Sequence, residues 1–314
     1  MSKSTLATFG ILLVTAIWGS TFFIIKDAVT LIDPIDFLAV RFTIGALLPA
    51  IVFHRSLLRL TLKQWGMGLG LGGLYGLAQI AQTVGLRHTD ASISGFITGT
   101  YVILTPVFLW IFFKSRLNLT TWLAVGLAAV GLGVLSITGL GSGGGLGELL
   151  TLIGAALYAV HIIVLDRWSR AMDAMSLTVV QLIGVAIVVV VLGAPGGYHV
   201  PTEPSVWGAI AYTAIVAGIV TMLLQTWAQR HISPTRVALL MTFEPVFASA
   251  FAVGFGGEDL TVRLLLGGGL ILGATLLGIR SGTPEPTELH TLADPASPPS
   301  EEPKSPDKES RQRR

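Results

Sequence analysis

Cysteine is absent from the 314 residues. Disulfides, thiol catalysis and cysteine-ligated metals are therefore excluded, and the redox compartment leaves no mark on the chain. Charge is scarce as well, at 12% Asp, Glu, Lys and Arg, against about 25% in soluble domains. Residues 281–314 hold 7 of the 18 acidic and 5 of the 20 basic side chains, which leaves 11 and 15 for the first 280 residues. A water-soluble reading fails on that balance. No Walker loop, metal-binding histidine pair or serine nucleophile elbow occurs, so ATP-driven transport by this chain alone and the common hydrolytic chemistries have no footing. Neither a cofactor nor a nucleic-acid partner is expected.

What the chain has instead is hydrophobic length, with 52% apolar residues. A helix needs about 20 largely apolar residues to cross a bilayer, and its backbone must satisfy itself there. Ten such stretches can be cut, at roughly 6–25, 34–53, 65–86, 93–113, 120–138, 147–166, 175–193, 206–228, 236–255 and 262–280. Asp33-Pro34, the Gly139 to Gly147 stretch, Ala194-Pro195-Gly196-Gly197, Ser233-Pro234 and Gly256-Gly257 suit the turns between them. The expected fold is an all-α integral membrane protein with ten transmembrane helices, and lipid is its first partner.

The chain also repeats itself. Gln82-Thr83 with Arg87-His88 recurs as Gln225-Thr226 with Arg230-His231, an offset of 143 that carries Tyr101 onto Glu244, Ser115 onto Glu258 and Gly126 onto Gly269. Nearer the start the offset is 140, matching Trp18 to Tyr158, Lys26 to Asp166, Asp33 to Asp173 and Arg41 to Gln181. A period this long fits a duplicated membrane half. The expected units are residues 1–139, residues 146–280 and a tail over 281–314.

Alternate loops differ in charge. One set holds Lys3, Arg55, Arg59, Lys63, Lys114, Arg116, Arg167, Arg170, Arg230, Arg236 and Arg280, the other only Lys26, Arg87 and Arg263. Cytoplasmic loops are enriched in Lys and Arg, which places both termini in the cytoplasm. Five helices per half is an odd number, so the second half enters the membrane from the opposite face and the repeats are inverted, an architecture common among secondary carriers. The first span, although preceded by Lys3, continues through Trp18 to Lys26 and reads as retained rather than cleaved. The tail, rich in Pro, Glu, Ser and Lys, has the composition of disorder.

Ionisable groups inside a membrane are costly and point to function. Glu244 falls near the middle of the ninth span, and Pro245 after it is expected to kink that helix and free a backbone acceptor; Pro106 is a second expected kink. Glu244 suits either a helix-fastening carboxyl or a group that binds substrate or carries a proton, and the second is favoured. Arg41 in the second span is a candidate partner for substrate or for Glu244. Their counterparts, Tyr101 and Gln181, are neutral, so acid and base lie in different halves. Gln79 and Gln82 share one helix face, as do Gln225 and Gln229, which suits lining a path or bonding between helices. His161 can relay a proton or simply pack. Trp18, Tyr101 and Tyr158 are aromatics with a polar handle. Gly68, Gly70 and Gly73 match a dinucleotide fingerprint without a preceding strand, and their spacing, like those of Gly66 with Gly70, Gly68 with Gly72 and Gly95 with Gly99, suits close helix packing.

Ala16 to Phe22 (AIWGSTF), Arg41-Phe42, Leu224 to Arg230 (LQTWAQR), Glu244 to Phe247 (EPVF) and Gly257 to Leu260 (GEDL) together resemble the EamA-type transporters of the drug/metabolite transporter superfamily. The resemblance spans both halves. It implies a ten-helix inner-membrane carrier of two inverted five-helix repeats, often exporting amino acids, metabolites or toxic small molecules. Many members carry Gly-Glu-Arg-Leu where this chain has Lys114-Ser115-Arg116-Leu117, while Glu258 keeps the glutamate in the second half. The resulting expectation is a secondary carrier for a small metabolite or drug-like molecule, working by alternating access and not an enzyme. Coupling to protons or by exchange, and assembly as a homodimer, are compatible with it. The competing reading is a multi-spanning sensor or intramembrane enzyme.

Overall fold

The computed structural model describes residues 2–114, 118–136, 145–168, 172–229, 231 and 240–280, with Phe113, Asp166, Arg167, Met222, Leu223, Thr226, Gln229, Ile279 and Arg280 described through their backbone only. Ser115-Arg116-Leu117, the greater part of the Gly139 to Gly147 stretch, Arg170, Arg230, Ser233-Pro234, Arg236 and the tail lie outside the described residues.

The described residues form helices and connections, without a strand. In chain order the helices are α1 (Lys3–Leu31), α2 (Pro34–Val52), α3 (Leu62–Arg87), α4 (Ala91–Gly99), α5 (Tyr101–Phe113), α6 (Leu119–Ser136), α7 (Leu146–Trp168), α8 (Ala174–Gly193), α9 (Pro204–Ala211), α10 (Thr221–Gln229), α11 (Glu244–Phe255) and α12 (Val262–Arg280). A turn of helix at His54–Leu57 follows α2, and a π-helical stretch, Tyr212–Val220, joins α9 to α10. Among the described residues, five segments are long and apolar enough to cross a membrane: Lys3–Leu31, Pro34–Val52, Ala91–Phe112, Leu146–Leu165 and Ala174–Gly196. Leu119–Leu135, Pro204–Val220, Glu244–Phe255 and Val262–Gly278 are shorter apolar helices. Helix α3 has the length, 26 residues, but seven glycines and three glutamines dilute its apolar content.

Four of those glycines, Gly68, Gly72, Gly76 and Gly85, serve close packing. In lipid the hydrophobic effect does not drive helices together, so close backbone contact has to. A Cβ on Gly72 would run into the Gln181 carbonyl of α8, and one on Gly68 would sit 2.5 Å from Val180 Cγ1. Gly66 meets nothing within 4 Å, so the Gly66 and Gly70 spacing does not mark a packing face. Gly95 and Gly99 of α4 accept Ala248 and Pro245 of α11, where added Cβ atoms would come within 2.6 and 2.8 Å.

Pairs of contacts give the directions. Gly68 meets α8 at Val180 and Gly76 meets it at Val185 and Val188, so α3 and α8 run parallel. Gly85 lies at Gly147 and Thr151 while Gly154 lies at Ala78 and Gln82, so α3 and α7 run antiparallel. Asp33 bonds Arg87 at 3.3 Å and Asp36 bonds His199 at 3.2 Å, which gathers the start of α2 and the ends of α3 and α8 at one end of the helical body. At the other end Leu57 and Val180 cluster with Phe53, Trp65 and Met172. The largest apolar cluster, including Phe22, Phe37, Phe42, Leu86, Val189 and Ile210, ties α1, α2, α3 and α8 to the segment 204–211.

Two spans that read as continuous from hydropathy are broken. Thr100 separates α4 from α5, its N–H returning to Ile97 O at 3.1 Å. Before α11 the chain turns at Thr242 and Phe243, and the Phe243 N–H returns to Leu240 O at 3.2 Å. Pro245 thus lies in the first turn of α11, where its missing N–H costs nothing, instead of kinking a continuous helix. Pro106 does stand inside α5.

Candidate substrate site

The break puts Glu244 at the first position of α11 and Tyr101 at the first position of α5. Both line one small cavity, together with Phe96, Gly99, Thr242, Pro245, Ile271 and Thr275 among others. Its volume is about 10 Å³, room for about one water molecule. A carboxylate and several hydroxyls therefore meet an otherwise apolar wall at the point where two half-helices begin.

Arg41 is buried, with 9% of its surface exposed, and faces α3 instead of Glu244. Its Nη1 donates to Gln79 Oε1 at 3.5 Å, its guanidinium lies 4.8 Å from the Phe42 ring centre, and its Nε has no hydrogen-bond partner. No ion pair joins Arg41 to Glu244 among the described residues. Gln79 in turn donates to Tyr75 OH at 3.0 Å. The Tyr75 ring lies 5.4 Å from Tyr158 and 5.2 Å from His161, centre to centre. Tyr158 OH donates to Gln82 Oε1 at 2.9 Å, and Gln82 Nε2 donates to Thr98 Oγ1 at 2.9 Å. His161 Nε2 and Gln181 Oε1 are 2.8 Å apart.

Six of the residues singled out from sequence, Arg41, Gln79, Gln82, Tyr158, His161 and Gln181, therefore form one connected polar surface built on α2, α3, α7 and α8. Tyr75 is its centre, bonded by Gln79 and ringed by Tyr158 and His161. The sequence carries a signal for it, because Tyr75, Gln79 and Gln82 at spacings of four and three share a helix face. Trp18 and Gln225 stand apart. Trp18 Nε1 donates to Ala217 O at 3.0 Å and lies 3.1 Å from Thr221 Oγ1, so its polar handle is held by the π-helical stretch and α10. Gln225 donates to Met241 Sδ at 3.9 Å, beside the Glu244 cavity that Met241 also lines.

The profile of the EamA-like transporter family matches this chain twice, over residues 5–137 and 145–280. An uncharacterized transporter of Archaeoglobus fulgidus is 33% identical over 285 residues, covering 88% of this chain and 86% of its own. The uncharacterized inner membrane transporter YedA of Escherichia coli K12 is 26% identical over 269 residues, 83% of this chain and 86% of that one. The uncharacterized transporter YoaV of Bacillus subtilis is 24% identical over 291 residues, 83% and 92% of the two chains. A solved crystal structure shares the fold at a TM-score of 0.61 and 19% identity, covering 88% of this chain and 96% of its own. The twofold profile match, the relatives that span most of the chain and the apolar helices make this protein a member of the EamA-like transporter family, a multi-pass membrane transporter and not an enzyme.

Proposed function

We propose that the protein is a secondary carrier that moves a small metabolite, an amino acid or a related zwitterion, across the cytoplasmic membrane by alternating access. Its ten spans form two inverted five-helix repeats, residues 1–139 and 146–280, with both termini and the tail in the cytoplasm. Several equivalences support the repeat. The backbone breaks at Thr100 and Phe243 lie 143 residues apart, as do the bonds Gln82 to Thr98 and Gln225 to Met241. Asp33 and Asp173, 140 apart, each cap the helix that follows.

The observation that carries the reading is Arg41. A buried guanidinium needs a compensating charge or a full set of acceptors, and this one has a single long bond to a neutral amide and an unbonded Nε. A substrate carboxylate supplies what is missing. Glu244, near Tyr101 and a space the size of a water molecule, takes the amine or a proton. Rocking of the halves exposes this region to each side in turn.

A thermal-shift screen of the purified protein against amino acids, nucleosides, sugars and cationic drugs tests it, because a ligand stabilises the state it binds. Carboxylate-bearing zwitterions should raise the melting temperature of the parent, fail with Arg41→Ala and act weakly with Glu244→Gln. Undiminished shifts in both variants would place the site elsewhere.

A further inference from the structure

The end of the helical body that gathers Asp33, Arg87 and His199 also carries a set of contacts that substrate binding does not use. They converge on the short turn between α3 and α4. Thr89 Oγ1 donates to Glu148 Oε1 at 2.9 Å. Ala91 N–H donates to Glu258 Oε1 at 2.5 Å, Ser92 N–H to Glu258 Oε2 at 3.1 Å, and Ser92 Oγ to the same oxygen. Thr89, Ala91 and Ser92 are all buried. Asp90, at the capping position of α4, makes no capping bond of its own. The free N–H groups at the start of α4 are instead satisfied by a carboxylate 166 and 167 residues away in sequence, where the helix dipole also favours it.

The chain is built to deliver that carboxylate. Gly257 takes a left-handed backbone at φ +70°, where a glycine avoids the Cβ penalty. The chain then turns back so that the Glu258 N–H meets Ala252 O at 3.1 Å, and its side chain reaches α4. On the other side of the turn, Lys26 Nζ lies 3.5 Å from Leu86 O and also donates to Thr89 O, so it holds the carboxyl end of α3. Lys26 and the turn belong to the first half of the chain. Glu148 and Glu258 both belong to the second.

The repeat places different residues at the opposite end. By the offset of 143 the counterpart of Glu258 is Ser115, and by the offset of 140 that of Glu148 is Thr8. Neither is acidic, and the Thr8 hydroxyl donates within its own helix to Ser4 O at 2.9 Å. We infer that Glu148 and Glu258 form a latch that holds the carrier shut on the outer face, and that the replacement of both carboxylates by Thr8 and Ser115 in the repeat tips the resting state toward loading from the cytoplasm, as an exporter requires. Opening outward must break charge-assisted bonds that opening inward keeps. This rests on the carrier reading and its orientation, and adds a direction to them.

The lack of cysteine makes the test direct. Cysteines introduced by Asp90→Cys and Asp259→Cys, at two exposed positions flanking the latch in different halves, carry spin labels in the full chain in lipid nanodiscs. The parent should give one short distance. Glu148→Gln with Glu258→Gln should add a longer one, its population raised about tenfold, because a hydrogen bond to a charged group is worth at least a factor of ten. Ser92→Ala, which removes a single donor and leaves both carboxylates, should fall between them and guards against a folding defect in the double variant. Identical distance distributions in all three would overturn the latch. A membrane-impermeant maleimide added to intact cells reads the side: it should react at position 90. Reaction at that position from the cytoplasmic face only would overturn the outer assignment together with the orientation, whereas external reaction with unchanged distances removes the latch and leaves the carrier reading standing.

Discussion

At Thr100 an N–H returns three residues to Ile97 O and Tyr101 opens the next helix; 143 residues later Phe243 returns to Leu240 O and Glu244 opens the next. Gln82 then bonds Thr98, and Gln225 bonds Met241. The two halves thus share a backbone device and differ in what they place on it. The first half holds the buried cation Arg41, where the second has Gln181; the second holds Glu244, where the first has Tyr101. Under the proposed function this division suits a polar substrate with two unlike ends, each end meeting one charge.

The comparison is most severely tested at Arg41. Arg41→Ala should weaken binding of a zwitterionic ligand by about 2 to 5 kcal/mol, the range for removing one partner of a buried charge contact, read by ligand titration. Arg41→Lys should restore only part of it, since an ammonium lacks the planar fork. Next come the glycines that join the halves. Gly72→Ala should destabilise the fold by about 1 to 3 kcal/mol through overpacking against the Gln181 carbonyl, while Gly66→Ala, open on all sides, should be neutral or stabilise by up to about 1 kcal/mol; thermal melting in detergent separates them. Glu244→Gln should reduce binding about tenfold, the loss of one charged hydrogen bond, and flatten the pH dependence of uptake into proteoliposomes.

The smallest expected effect lies at the repeated helix caps. Asp173→Ala should cost about 1 kcal/mol, the usual worth of such a cap. Burial opposes ionisation of Asp173, but the hydrogen bonds from Ser176 and Met175 outweigh it and hold its carboxyl below the usual range. A depressed folded value means the contribution is whole above the unfolded carboxyl value of about 3.9 and is lost as pH falls through the folded one. The difference in melting between Asp173→Ala and the parent should therefore be constant near neutrality and shrink below about pH 4. A difference that grew on acidification would contradict the capping account.

Much of this was legible in residue order. Apolar runs and turn residues located most helix ends to within a few positions, the end of α1 at Leu31 and the start of α11 at Glu244 excepted, and the glycine spacings of Gly68 with Gly72 and of Gly95 with Gly99 marked faces that do pack closely. The helical breaks were not legible, because hydropathy reports whether a residue tolerates lipid and not whether its N–H bonds four residues back. The π-helical stretch at Tyr212–Val220 escaped for the same reason. The Glu258 contact escaped because its partners are distant in sequence and become neighbours only when α4 and α11 pack.

What residue order alone determined is the solvent and the family: a chain this apolar folds in lipid, and a pattern that recurs at 143 residues is matched twice by one family profile. Both follow from local chemistry, because transfer free energy and helix punctuation act residue by residue. Which polar groups meet was decided only in three dimensions. Arg41 reached Gln79 and not Glu244, Tyr75 became the hub of the polar surface, and a second-half glutamate closed a first-half helix. In a membrane interior, hydrogen bonds and charge contacts act only at contact distance and in a given direction, so the packing of the helices, and nothing earlier, selects their partners.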